Sequence, residues 1–109
     1  MKMAFLSRIE EILLLTIWKL KDDAYGIAIR NQVEKDTGIN WLSEAIYAPL
    51  SRLKEKGYVE STTAEKSTER GGRPRVYYRL TPSGLASLIS IQEVNRVLWY
   101  GVPDLKQEY

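Results

Sequence analysis

The chain has no cysteine and no histidine. Without thiols there can be no disulfide, thiolate metal site or cysteine nucleophile. Without imidazole, the usual general base near neutral pH is missing as well. Long apolar runs are also absent. The longest uncharged one, Ile12 to Trp18, falls far short of the roughly 20 residues that cross a bilayer. Arg8, Glu10 and Glu11 interrupt any apolar signal-peptide core near the N-terminus, so a cytoplasmic protein with no membrane partner is expected. A carboxylate enzyme or hard-cation site would have to rest on Glu10-Glu11 and Asp22-Asp23. Neighbours in sequence do not face each other on a helix, and solvated helix surface and a helix cap account for these pairs better. Neither catalysis nor a metal or other cofactor is expected.

What is present fits one globular domain: 109 residues, 44% hydrophobic and 28% charged, a balance that disfavours disorder. The net charge of +2 says little by itself, but its distribution says more. Residues 1–39 balance six basic groups against six acidic ones, residues 40–80 carry eight against five, and residues 81–109 two against three. Within the middle block, the segment from Lys66 to Arg79 holds Lys66, Arg70, Arg73, Arg75 and Arg79 against Glu69 alone. Positive charge is thus focused around one segment containing Gly71-Gly72.

Leu6, Ile9, Leu13, Ile17 and Leu20 recur at spacings of three and four, which predicts a first helix over 5–21. Leu14, Leu15 and Trp18 make it apolar on more than one face, as for a helix buried between two surfaces. Asp22 or Asp23 is expected to cap a second helix that turns Tyr25, Ile29 and Val33 inward and stops near Gly38. Trp41 is read as packing the turn that follows. A third helix begins at Asn40 or Ser43, buries Ile46, Leu50 and Leu53, and stops at Gly57. The period then changes to two: Tyr58–Ser61 and Arg75–Leu80 read as paired strands. Thr81 as N-cap and Pro82 at the first helical position open a last helix running to about Tyr100. Three helices, a basic hairpin and a long helix make a mainly α fold with a small β-hairpin, the winged helix-turn-helix with a C-terminal dimerisation helix. The expected division is a DNA-binding region over 1–80 with its wing at about 58–80, a dimerisation helix over 81–100 and a tail over 101–109, in one structural domain.

Several stretches together resemble the PadR family of bacterial transcriptional regulators. They are Tyr25-Gly26, Ile46-Tyr47, Leu50-Ser51-Arg52-Leu53-Lys54-Glu55-Lys56-Gly57-Tyr58-Val59, the wing Arg70-Gly71-Gly72-Arg73-Pro74-Arg75, and Tyr77-Tyr78-Arg79-Leu80-Thr81 with Gly84. The match runs from about Phe5 to Leu88. The resemblance implies a homodimeric winged-helix repressor, released from its operator by a small molecule or another input. Two features depart from the pattern. Proline often follows the third-helix tyrosine directly, whereas here Ala48 intervenes before Pro49. In a helix starting near Ser43, that proline predicts a kink or a later start. The C-terminal region is short, like members with a single terminal helix.

On the third helix, Tyr47, Ser51 and Lys54 share a face opposite Ile46, Leu50 and Leu53. In a major groove, Ser43, Glu44 and Tyr47 would approach base edges, and Ser51 and Lys54 bases or phosphates. Arg70, Arg73 and Arg75 flank Gly71 and Gly72, which would let the backbone approach closely, and suit phosphates or a narrow minor groove, and Lys66 is a weaker phosphate candidate. Tyr25 at the start of the second helix is a further candidate, with core packing as its other reading. Arg52 is read as pairing with Glu55, and Arg79 as structural. The last-helix stripe, with the first helix, is expected to bury against a second copy through Leu6, Leu13, Leu88, Ile91, Val94 and Leu98. Trp18 and Trp99 are candidates for stacking on a small aromatic effector, although aromatics at helical spacing also simply pack. The expected partners are therefore duplex DNA carrying an inverted-repeat operator, a second copy of the chain and such an effector. The rival reading is a winged-helix protein-interaction module whose hairpin meets an acidic partner.

Overall fold

The first helix starts where a local hydrogen-bond exchange fixes it. The Ser7 hydroxyl accepts from the Glu10 amide at 3.2 Å, and the Glu10 carboxylate accepts from the Ser7 amide at 2.9 Å, a reciprocal capping box. In the computed structural model of the protein, which describes residues 6–64 and 74–107, this opens α1, Arg8–Leu20. α2 (Gly26–Thr37) and α3 (Ser43–Glu55) follow, then strands β1 (Val59–Thr63) and β2 (Val76–Leu80), then α4 (Pro82–Trp99). The strands pair antiparallel, Val59 opposite Leu80 and Thr63 opposite Val76. Arg79 and its cross-strand neighbour Glu60 form an ion pair on the hairpin, the structural place expected for that arginine.

Leu13, Leu14 and Ile17 of α1, Ile29 and Val33 of α2, and Ile46, Leu50 and Leu53 of α3 fill one core, closed by Val59 and Leu88. Glu10 is enclosed too, at 3% exposure. It does not lie on solvated helix surface, because its carboxylate receives the Lys56 ammonium at 2.7 Å from the far end of α3. Burial opposes its charge, but the hydrogen bonds from Lys56 and Ser7 outweigh that and hold the carboxyl below its ordinary value.

Asp22 and Asp23 do not cap α2. The chain makes a short 3₁₀ turn over Lys21–Asp23 and then an extended step, so Tyr25 takes the cap position with no side-chain acceptor for the first amides. That extended step is used elsewhere: Tyr25 bridges to Tyr77, and the Tyr78 amide donates to the Ala24 carbonyl at 2.8 Å. The start of α2 is thereby stitched to β2.

The turn into α3 is held by its own residues. The Thr37 hydroxyl donates to the Val33 carbonyl at 2.7 Å and accepts from the Trp41 indole at 3.1 Å. Arg30 donates to the Trp41 carbonyl at 3.0 Å. α3 then starts at Ser43 and continues through Pro49 to Glu55, so the proline does not delay the helix. Pro49 is buried on the core side and offers no N–H to the Ala45 carbonyl one turn back. Arg52 is exposed and forms no ion pair with Glu55.

α4 opens as its sequence signals require. The Thr81 hydroxyl accepts from the Gly84 amide at 3.1 Å and donates to the Gly57 carbonyl at 2.6 Å, and the Thr81 amide reaches the Tyr58 carbonyl at 3.1 Å. The helix can sit this close only because residue 84 is glycine. A Cβ there would stand 2.0 Å from the Tyr58 carbonyl oxygen. Farther along, α4 leaves much of its apolar surface uncovered, with Ile89, Val97, Leu98 and Trp99 all exposed.

Candidate nucleic-acid interface

The amphipathic register of α3 turns Ile46, Pro49, Leu50 and Leu53 inward and leaves Ser43, Glu44, Tyr47, Ser51 and Lys54 exposed along its length. Beside this face, the stitching of α2 to β2 gathers four of the seven tyrosines around the first half of β2. Tyr25 and Tyr77 meet edge to face with ring centroids 5.6 Å apart. The Arg75 guanidinium lies 4.1 Å from the centre of the Tyr25 ring, so that ring both packs and holds a cation in place. Tyr47 and Tyr78 complete a groove of about 320 Å³ between the start of α2 and the foot of β2. Arg75 is the one cation among the described residues lining it. Burial, and then the neighbouring Tyr47, push the Tyr78 phenol above its ordinary value, so near neutral pH it is a protonated donor.

The structure therefore brings Tyr25, Tyr47 and Arg75 to one groove and sets Ser43, Glu44, Ser51 and Lys54 on the adjoining helix face. Lys66, Arg70, Gly71, Gly72 and Arg73 lie outside the described residues. Gly26 and Tyr78 line the groove and Tyr77 braces Tyr25 from beside it, although the sequence reading gave none of the three a role there. A strand's alternation would have sent Tyr77 and Tyr78 to opposite sides. The extended step at Ala24-Tyr25 sets Tyr25 against Tyr77 and ties the Ala24 carbonyl to the Tyr78 amide, and no local signal announces it.

The apolar face of α1 and α4 needs one correction. Leu13 is fully buried in the chain's own core and is not free to meet a second copy, whereas Leu88, although nearly buried, still lines the groove between α1 and α4. Leu6 also packs against this core. α1 is apolar on two faces, and the outward one carries Leu15 and Trp18, which with Leu85, Ile89 and Ile91 line a groove of about 420 Å³. Ile91 and Val94 are half-buried, while Leu98 is exposed. Trp18 lines this groove, and the Lys21 ammonium stands 3.2 Å from its ring centre. Trp99 is not part of it, so one chain does not bring the two tryptophans together in a pocket.

The sequence profile described as the transcriptional regulator PadR-like family matches residues 14–89, from within α1 to the first half of α4. The chain belongs to this family. Solved PadR structures share its fold. A PadR-family transcription regulator from Clostridium difficile R20291 is 26% identical, with a TM-score of 0.66 over 86% of this chain and 88% of its own. A PadR-family regulator from Eggerthella lenta DSM 2243 is 30% identical, with a TM-score of 0.66 over 84% and 77%. A PadR-like regulator from Bacillus cereus ATCC 14579 is 24% identical and matches in fold with a TM-score of 0.73 over 91% of both chains. The search of curated proteins finds no match. As a PadR-family protein the chain is a DNA-binding transcriptional regulator and not an enzyme. Among its described residues, no helix is long and apolar enough to cross a membrane.

Proposed function

We propose that this PadR-family regulator works in the cytoplasm as a homodimeric repressor that reads an inverted-repeat operator in duplex DNA and is released by a small aromatic effector. The exposed α3 face flanked by the Arg75–Tyr25 pair carries the reading. Ser43, Glu44, Tyr47 and Ser51 offer short hydroxyl, carboxylate and phenol groups to base edges, and Lys54 and Arg75 offer charge to phosphates. Residues 1–80 form the DNA-binding region with its wing at about 58–80, 81–100 the dimerisation helix and 101–109 a tail. The wing residues Lys66, Arg70, Gly71, Gly72 and Arg73 extend the contact along the backbone or minor groove.

Selection of bound sequences from random duplex DNA, followed by titration of the winner across salt, tests this reading. The expected result is an enriched inverted repeat with half-sites about 34–36 Å apart, bound ~10³-fold or more above random DNA with a steep salt slope. Absence of enrichment, with weak binding throughout, would instead favour a winged helix used for protein contacts.

Dimerisation through α1 and α4 is supported by an uncovered apolar strip on the two helices: Leu15, Trp18 and Ile89 line one groove, and Val97, Leu98 and Trp99 are exposed farther along α4. In a two-fold pair, Ile91, Val94 and Leu98 would meet their counterparts, and the tryptophans of two copies would supply the walls for an aromatic effector. Ile89→Glu places a charge in this strip without touching the core. Light scattering is expected to find the variant monomeric at a concentration where the unaltered protein is dimeric. A variant that remains dimeric would remove α4 from the interface.

A further inference from the structure

Gly26 occupies the first position of α2, where glycine is a poor choice on local grounds. Its backbone does not adopt the left-handed conformation that Gly38, Gly57 and Gly101 adopt, so alanine would fit its dihedrals and favour the helix. The need for glycine comes from space. A Cβ built on Gly26 would stand 2.7 Å from the Tyr47 hydroxyl and 3.0 Å from Cε1 of the same ring, and its three nearest atoms all belong to Tyr47. Bare backbone at the start of α2 is therefore the seat on which the α3 phenol rests.

We propose that Gly26 is the positioning residue for Tyr47. By having no side chain it lets the ring lie back across α2 beside Tyr78, and so fixes from the second helix where the third helix presents its phenol. The inference deepens the reading of α3 as the DNA face and rests on it. Gly26 itself need not touch DNA. The nearest atoms that a methyl group would meet are the far end of a side chain that is 37% exposed, and none of them belongs to the buried core. Displacing the ring therefore costs the core little, and the effect falls on where Tyr47 points.

The test is a double-mutant cycle of Gly26→Ala and Tyr47→Ala, read as affinity for the enriched duplex, affinity for random duplex and melting temperature. Gly26→Ala is expected to weaken operator binding about tenfold, within the range of coupled neighbours, while leaving random binding nearly unchanged. Its melting temperature should equal or exceed that of the unaltered protein. In the Tyr47→Ala background, adding Gly26→Ala should change nothing further. The same loss in both backgrounds would overturn the positioning role, as would a loss of melting temperature that Tyr47→Ala does not restore. Loss of operator affinity in Tyr47→Ala with none in Gly26→Ala would overturn the positioning role alone. Tyr47→Ala binding the operator as well as the unaltered protein would instead overturn the contact reading on which the proposal stands.

Discussion

Replacing Gly84 with alanine is expected to lower the melting temperature by about 15 °C, corresponding to about 3 kcal/mol for a domain of this size. The new Cβ would lie 2.0 Å from the Tyr58 carbonyl oxygen and 3.0 Å from its carbon. Both are backbone atoms, so no side-chain rotation relieves the clash. If α4 lifts, the Thr81 amide leaves the Tyr58 carbonyl and the Thr81 hydroxyl leaves the Gly57 carbonyl. If Tyr58 moves instead, its amide loses the Leu53 carbonyl, the bond that turns the chain from α3 into β1. The better helix propensity of alanine returns only about 1 kcal/mol. Thermal unfolding at fixed protein concentration, with Ser83→Ala as the control on an exposed neighbour, checks the expectation. Melting of Gly84→Ala within a few degrees of the control would show that the helix and the strand do not need this approach.

The second large effect concerns Glu10 and Lys56. Lys56→Met keeps the hydrocarbon stem and removes the ammonium, leaving a carboxylate that is 4% exposed with only its capping contacts. Breaking a fully buried pair costs about 3–5 kcal/mol, but the lysine here is 42% exposed and the Ser7 bonds remain, so about 2 kcal/mol is expected near neutral pH. The sign of the pH dependence follows from the direction of the shift. The folded carboxyl is held below its ordinary value of 4.5, so its stabilisation is complete above that value and is lost as pH falls through the lower, folded one. Removing the ammonium removes the main force holding the carboxyl down, so protonation relieves the variant first. Urea midpoints of the two proteins should therefore converge between neutral pH and about pH 3. A gap of constant size over that range would show that Glu10 is not the group responsible.

Both of these constraints join distant parts of the chain, which is why the sequence announced neither. Short-range signals were legible. Thr81-Pro82 marked the start of α4, the change of period after Gly57 marked the hairpin, and the Ile46-Leu50-Leu53 stripe marked the buried side of α3. Glu10 read as solvated surface because its partner lies 46 residues away. Asp22 and Asp23 read as caps because those residue types suit the role, but pairing Tyr25 with Tyr77 moved the helix start past them. Leu13 read as interface because α1 is apolar on two faces, and periodicity does not say which face the protomer keeps for itself. At the candidate site, the exposed side of α3 could be read from spacing, whereas the gathering of Tyr25, Tyr77, Tyr78 and Arg75 depended on a single extended step between α1 and α2.

The turn between α2 and α3 is different in kind from these distant ties. Its bonds among Arg30, Val33, Thr37 and Trp41 span eleven residues at most, whereas the Thr81 hydroxyl reaches 24 residues back to Gly57. The entropy lost in closing a loop grows with its length, so the short bonds order the backbone at the least cost. Local bonds within residues 30–41 thus fix how the chain leaves α2, while the shared core with α1 and the seat of Tyr47 on Gly26 set how the two helices lie together. None of those turn bonds involves the hairpin or the terminal helix, so a hairpin or terminal helix that is altered or lengthened leaves the clasp itself untouched.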